Sequence, residues 1–204
     1  MRRLVIAVAV LALAGCGGGA AVPEAQQQHQ QGHGHGAATS TAPPPAATAR
    51  FNDADVMFAQ MMVAHLQQGI DLAVVAKAMA TAPKVKELAG AVDVTQREEL
   101  EMLKGWLKLW GKPEQPSSDP NVHAAHGGMP LLDAKVIAEV KDRSKEEFDL
   151  AYLNLMTGHQ GGAVEMAQTE LKDGSNPETT AYAQRVRDSR SGQIQQMLTL
   201  INGQ

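Results

Sequence analysis

The chain has 204 residues, with 18 Lys+Arg against 22 Asp+Glu and a formal net charge of -4. It carries no basic stripe, which excludes nucleic-acid binding, and its single Cys excludes intramolecular disulfides, thiolate zinc clusters and CxxC redox chemistry. All seven aromatic residues follow residue 50 while Ala is abundant throughout, which favours helix over sheet and places the structured part in 51–204, long enough for one domain with a buried core.

Arg2 and Arg3 precede an apolar run over 4–14 that is too short to span a bilayer. The run ends in Leu13-Ala14-Gly15-Cys16, which looks like a bacterial lipobox. Residues 1–15 are therefore expected to be a lipoprotein signal peptide, cleaved before Cys16, with diacylglyceryl on the Cys16 sulfur. The acyl chains would hold the protein to a membrane through the burial of many CH₂ groups, on the extracytoplasmic face or in the periplasm. An ordinary secretory signal with an incidental Cys accounts less well for the small residues beside Cys16. Without Arg2 and Arg3 the mature chain has 16 basic against 22 acidic residues, a net charge near -6.

Residues 16–50 follow as a lipidated Cys and a disordered tether. Gly, Ala, Gln, Pro, Thr and His dominate it, a composition that cannot offset the entropy of ordering, and Pro43, Pro44 and Pro45 stiffen one stretch. His29, His33 and His35 lie in this tract, either as weak metal ligands or as further polar residues of a biased segment.

Residues 145–201 align with 51–107 at a constant offset of 94 without a gap. Asp55 falls on Asp149, Phe58 on Tyr152, Met62 on Met156, His65 on His159, Ile70 on Val164, Pro83 on Pro177 and Leu107 on Ile201. Proline is well placed in the first turn of a helix, so each unit reads as helix, short turn, Pro-initiated helix. Asn52 or Asp53 can cap the first helix, Ser144 with Glu147 has the pattern of a capping box, and Asn176 caps the last helix. Gly111 and Gly174 are stops. The predicted helices run 53–81, 83–110, 145–173 and 177–202, and a short helix falls in 131–140. At about 1.5 Å per residue the four long ones reach roughly 40 Å each. The expected architecture is an all-α four-helix bundle over 51–204, built of hairpins 51–111 and 144–204 about a pseudo-twofold axis and joined by a linker over 112–143.

The inward stripe of the third long helix is Tyr152, Met156, His159, Ala163 and Met166, and that of the first is Phe58, Met62, His65, Gly69 and Leu72. Each stripe thus has a central His, a Met one turn before it and a small residue one turn after it, leaving room beside the ring. Met197 lies on the fourth long helix, which should pack against the third. Thioether sulfur is soft and uncharged, binds Cu(I) and offers little to hard cations; imidazole adds a stronger nitrogen ligand. The alternative is that Met fills the core and His is hydrogen-bonded packing, but the recurrence of Met-x-x-His favours ligands.

Met62-Val63-Ala64-His65-Leu66-Gln67-Gln68-Gly69-Ile70-Asp71-Leu72-Ala73 resembles the Met-x-x-His-His-x-x-Ala-Ile-x-Met-Ala motif of the bacterial domain-of-unknown-function 305 family. Met156-Thr157-Gly158-His159-Gln160-Gly161-Gly162-Ala163-Val164-Glu165-Met166-Ala167 resembles its second copy. Gln96, Glu99, Leu100, Leu103, Trp106 and Leu107 are similar to its second-helix pattern, and the resemblance covers about 52–202. It implies a ferritin-like bundle, exported and in some members associated with copper binding and tolerance. The chain departs from the motif where Leu66 and Gln160 replace the second His of each copy, and where Leu72 and Leu103 stand in place of Met. The ligands implied by position are His159, Met156, Met166 and Met197, with His65 and Met62 contributing across the axis to one shared site. The connection His123-Ala124-Ala125-His126-Gly127-Gly128-Met129 resembles the family's His- and Met-bearing linker, so His123, His126 and Met129 are either auxiliary ligands that capture copper and pass it inward or part of a polar loop.

A di-iron enzyme needs Glu from two helices and Glu-x-x-His from the other two. Met62 and Met156 occupy the Glu positions before the histidines, and Glu98, Glu99 and Glu101 map onto Gly192, Gln193 and Gln195. Glu99 then reads as a solvated carboxylate or one that supports a ligand. No nucleophile–base–orienter set and no phosphate loop is visible, so no enzyme is expected. Two functions remain: an anchored copper protein, with Cu(I) the ion its soft donors select, which sequesters the metal or hands it on; or a non-catalytic scaffold or adaptor at the cell envelope. The expected partners are the membrane, a metal ion, and an envelope protein or a second copy of the chain.

Overall fold

The computed structural model describes residues 50–116 and 131–203. The expected signal peptide, Cys16, the tether with His29, His33 and His35, and the linker residues His123, His126 and Met129 lie outside the described residues. All regular structure among the described residues is helical: α1 (Asp53–Met79), α2 (Pro83–Leu109), α3 (Ala134–Lys141), α4 (Lys145–Asp173) and α5 (Pro177–Asn202). The long helices form the four-helix bundle of two hairpins that the repeat predicts. α1 packs mainly on α2 and α4 mainly on α5, and the hairpins meet chiefly through α1 and α4.

Local signals account for most helix ends. Asn52 caps α1 in a reciprocal capping box with Asp55, and the Asn176 side chain accepts from Glu178 N and Thr179 N at the start of α5. Ser144 precedes α4 but makes no capping bond to the backbone; its hydroxyl lies 3.4 Å from the Glu147 carboxylate instead. α1 stops at Met79, two residues before the predicted end. Asp149 explains the difference, because its carboxylate accepts from Thr81 N at 3.0 Å, Thr81 Oγ1 at 2.7 Å and Ala82 N at 2.7 Å, drawing that backbone out of the helix.

Asp55 does the same at the other end of the bundle. It accepts from Ser175 N, Ser175 Oγ, Asn176 N and Thr179 Oγ1, at 2.6 to 3.1 Å. The start of each hairpin's first helix thus clasps the turn of the other hairpin, and α1 and α4 run antiparallel. Ser175 and Asn176 are the repeat equivalents of Thr81 and Ala82, so the clasp obeys the pseudo-twofold. Burial alone would raise the Asp55 carboxyl; the hydrogen bonds from Thr179, Glu170, Asn52 and Asn176 overcome it and hold the group at about 2.

The linker leaves and returns along α1. Gln60 Nε2 donates to Pro113 O at 2.8 Å, and Gln68 exchanges two bonds with Leu132 at 2.7 and 3.0 Å. α3 begins after Asp133, whose side chain accepts from Lys135 N at 2.7 Å, and it touches α4.

Two apolar clusters fill the interior. One holds Phe58, Met62, Leu66, Leu103, Trp106, Met166 and Tyr182. The other holds Leu72, Leu88, Val92, Phe148, Tyr152, Met156 and Met197. Buried polar residues come from the middle of each long helix: Gln96 on α2, His159 and Gln160 on α4 and Arg190 on α5 lie between these sets in sequence, and His65 on α1 lies within the first.

Candidate metal centre

The centre is built at the crossing of α1 and α4. Both helices turn small residues inward next to the histidines; Ala73, Ala163 and Ala167 are fully buried, and Gly69 follows His65 by one turn. Backbones can approach closely there, and the His65 and His159 rings stack with centroids 3.7 Å apart and planes 18° from parallel. The two residues are 0 % and 2 % exposed.

Stacking sets the direction of the donors. An imidazole lone pair lies in the plane of its ring, so two rings face to face aim their nitrogens outward along their planes, not at a point between them. Neither ring nitrogen of His159 makes a hydrogen bond of good geometry. Burial, against a smaller opposing contribution from the His65 backbone and helped by the Arg190 charge, holds His159 down at about 4. The ring is neutral at pH 7, as a metal ligand must be.

The methionines divide between the ends of the bundle. Met62 and Met166 share one apolar cluster with Leu103; Met156 and Met197 share the other with Leu72. Met62 precedes His65, and Met156 precedes His159, by three residues on the same helix, the spacing of facing neighbours. Met62, Met156 and Met197 are fully buried and Met166 is 6 % exposed. His65, His159, Met62, Met156, Met166 and Met197 thus all line the interior, one pair of sulfurs in each cluster.

Among the described residues no group of three or more His, Cys, Asp or Glu is gathered so as to hold a metal. Any ion in this interior would have at most two nitrogen donors and would need thioethers to complete its shell. That donor chemistry fits a soft monovalent ion and does not fit calcium, magnesium or a di-iron pair.

Sequence reasoning missed the polar surround. Glu99 is not a solvated carboxylate: it pairs with Arg190, which is 1 % exposed. Burial raises the Glu99 carboxyl, and the Arg190 charge works against that rise. Gln160 donates to Gln193 Oε1 at 2.6 Å. At the offset of 94, Gln96 corresponds to Arg190 and Glu99 to Gln193, so one hairpin carries an amide and an acid where the other carries a guanidinium and an amide. Reading the repeat as a list of differences, and not only of matches, would have exposed the pair.

A bundle of two repeated helical hairpins, with a stacked histidine pair between thioether-bearing clusters, defines the class of protein. The profile of the family described as domain of unknown function (DUF305) matches residues 55–201, and the chain belongs to that family. It is similar to the crystal structure of a candidate secreted DUF305 protein from Streptomyces coelicolor, with 27% identity and a TM-score of 0.69 over 74% of this chain and 93% of that one. A DUF305 fragment from Deinococcus radiodurans is 25% identical with a TM-score of 0.66, over 79% of this chain and all of the fragment (100%). CopM in its Cu(I)-bound form is 25% identical with a TM-score of 0.62, over 73% of this chain and 96% of that one. No curated protein is similar enough to match.

Proposed function

We propose that this protein binds Cu(I) as cargo outside the cytoplasm, buffering the ion or handing it on without catalysing a reaction. The observation that carries the reading is the buried, stacked pair of Met-flanked histidines at the crossing of α1 and α4. CopM, which shares the fold, has been crystallised with Cu(I), Cu(II) and silver, the last a soft monovalent ion. Because stacked rings do not aim their lone pairs at a common point and the methionines divide between two clusters, the donors fall into two sets: Met62, His65 and Met166, and Met156, His159 and Met197. The repeat supports this division, since Leu103 and Leu72 occupy the equivalents of Met197 and Met166, one in each set.

A lipid on Cys16 would keep the protein at the envelope, and His123, His126 and Met129 would be the auxiliary ligands that first capture copper. The candidate secreted relative from Streptomyces coelicolor supports an extracytoplasmic location. No helix among the described residues is long and apolar enough to cross a membrane.

The test is a Cu(I) competition titration of the full chain. Submicromolar binding that His159→Ala with Met156→Ala reduces, and that His65→Ala with Met62→Ala reduces separately, is the expected result. Binding that ignores both double variants assigns the metal to other residues. A second reading, an envelope scaffold with a Met- and His-filled core, is favoured by the complete enclosure of the donors; absence of binding by the folded protein would leave that reading in place.

A further inference from the structure

Gln96 is fully buried, yet neither its Oε1 nor its Nε2 is hydrogen-bonded. A carboxamide is expensive to enclose in that state, at about 1–3 kcal/mol for each unsatisfied group, so its surroundings matter. A Cβ added at Gly69 would collide with the Gln96 carboxamide oxygen and lie 2.8 Å from His159 Cε1. Gly69 is therefore the notch through which α1 admits both groups, and the two are neighbours. Cε1 is the carbon between the ring nitrogens, so the edge of His159 that carries both nitrogens faces the same notch as the carboxamide.

We propose that Gln96 is the positioning residue for His159: a small rotation of its carboxamide lets the oxygen accept the N–H of one ring nitrogen and leaves the lone pair of the other for a soft monovalent ion. This rests on the Cu(I)-binding reading above. A ligating imidazole is oriented by the partner of its second nitrogen, and that partner also selects the tautomer and raises the basicity of the ligating nitrogen. A carboxamide suits the task because it adds an acceptor without adding charge. The other hairpin lacks the device. Arg190 holds the equivalent position there, and a guanidinium has no acceptor to offer a ring N–H. The two imidazoles are thus unequal in the acceptor that the facing helix offers them.

The experiment uses the full chain with ¹⁵N-labelled histidine and compares wild type with Gln96→Leu and Gln96→Glu, reading the His159 ring ¹⁵N shifts without metal and the Cu(I) affinity by competition. Wild type shows one neutral tautomer. Gln96→Leu, which keeps volume and removes the amide, mixes the tautomers and weakens Cu(I) binding at least tenfold, in line with the usual 10–100-fold cost of losing such a partner. Gln96→Glu, which keeps an acceptor, retains the wild-type tautomer with its ring N–H proton moved downfield. Unchanged ring shifts in Gln96→Leu, or Cu(I) affinity within twofold of wild type, overturn the proposal. Should Gln96→Leu not fold, an unmoved N–H resonance in Gln96→Glu overturns it. Should wild type take up no Cu(I), the metal reading fails, and the metal-free tautomer comparison still decides the role of Gln96.

Discussion

Burial moves two proton equilibria in opposite directions, and the stability of the protein should follow both. His159 is held at about 4 against 6.5 in an exposed chain, so the unfolded state binds the extra proton between those values and stability falls as pH drops through that window. Glu170 is 1 % exposed and lies beside the Asp55 carboxylate. Burial chiefly, opposed by the Thr179 hydroxyl and reinforced by a hydrogen bond to Asp55 and by the Asp55 and Asp173 charges, pushes its carboxyl up from 4.5 to about 8. Here the folded state holds the proton, and stability is lost as pH rises from 4.5 to about 8. The two windows oppose each other up to pH 6.5; above it only Glu170 titrates. Thermal melts should show Tm falling by about 4–8 °C between pH 6.5 and 8, from about 1.36 kcal/mol per pH unit and roughly 2–4 °C per kcal/mol. Glu170→Gln should flatten that decline. A wild-type Tm that is level across the interval would mean that Glu170 is already ionised. Gly174 belongs to the same site, because a Cβ there would collide with the Glu170 carboxyl.

At the scale of helices, the crossed Asp55 and Asp149 clasps hold each turn to the opposite hairpin. Asp149→Ala removes the acceptor for Thr81 N, Thr81 Oγ1 and Ala82 N and should cost about 2–3 kcal/mol in denaturant melts, the range for bonds to a charged group. A loss below 0.5 kcal/mol would show that the turn holds itself. The Arg190–Glu99 pair ties α5 to α2 and behaves differently. Glu99→Gln leaves a buried guanidinium without its counter-charge and should cost about 3 kcal/mol, whereas Glu99→Leu with Arg190→Met should recover most of the loss, because a buried ion pair roughly balances its own desolvation. Equal destabilisation of the single and double variants would show that the pair contributes net stability.

At the scale of the whole molecule, the repeat in the sequence was enough to set out four long helices, their hairpin pairing and the face each turns inward. A 3.6-residue period, a Pro at the same depth in each unit and Asn caps are local signals, and local signals survive reading one residue at a time. The short helix also lay where the apolar pattern placed it, α3 at Ala134–Lys141 against a predicted 131–140. What escaped depended on contacts between residues far apart in the chain. Met79 ends α1 because Asp149, some seventy residues later, takes the next backbone donors. The Ser144 cap is absent although its motif is present, because the hydroxyl is directed to Glu147.

The candidate centre divides along the same line. Met62, His65, Met156, His159, Met166 and Met197 were legible as inward positions because periodicity assigns a residue to a face. Periodicity does not say how far along an antiparallel neighbour a residue will meet its counterpart, so neither the stacking of the two rings nor the pairing of Met166 with the cluster of Met62 could be read from it. The sequence by itself determined the kind of atoms turned inward, soft sulfur and neutral nitrogen on a helical bundle, since composition and period are properties of the chain. Only the tertiary structure decided which atoms meet, and brought Gln96 to the edge of His159 through the notch at Gly69, because that encounter is set by the depth at which two helices cross.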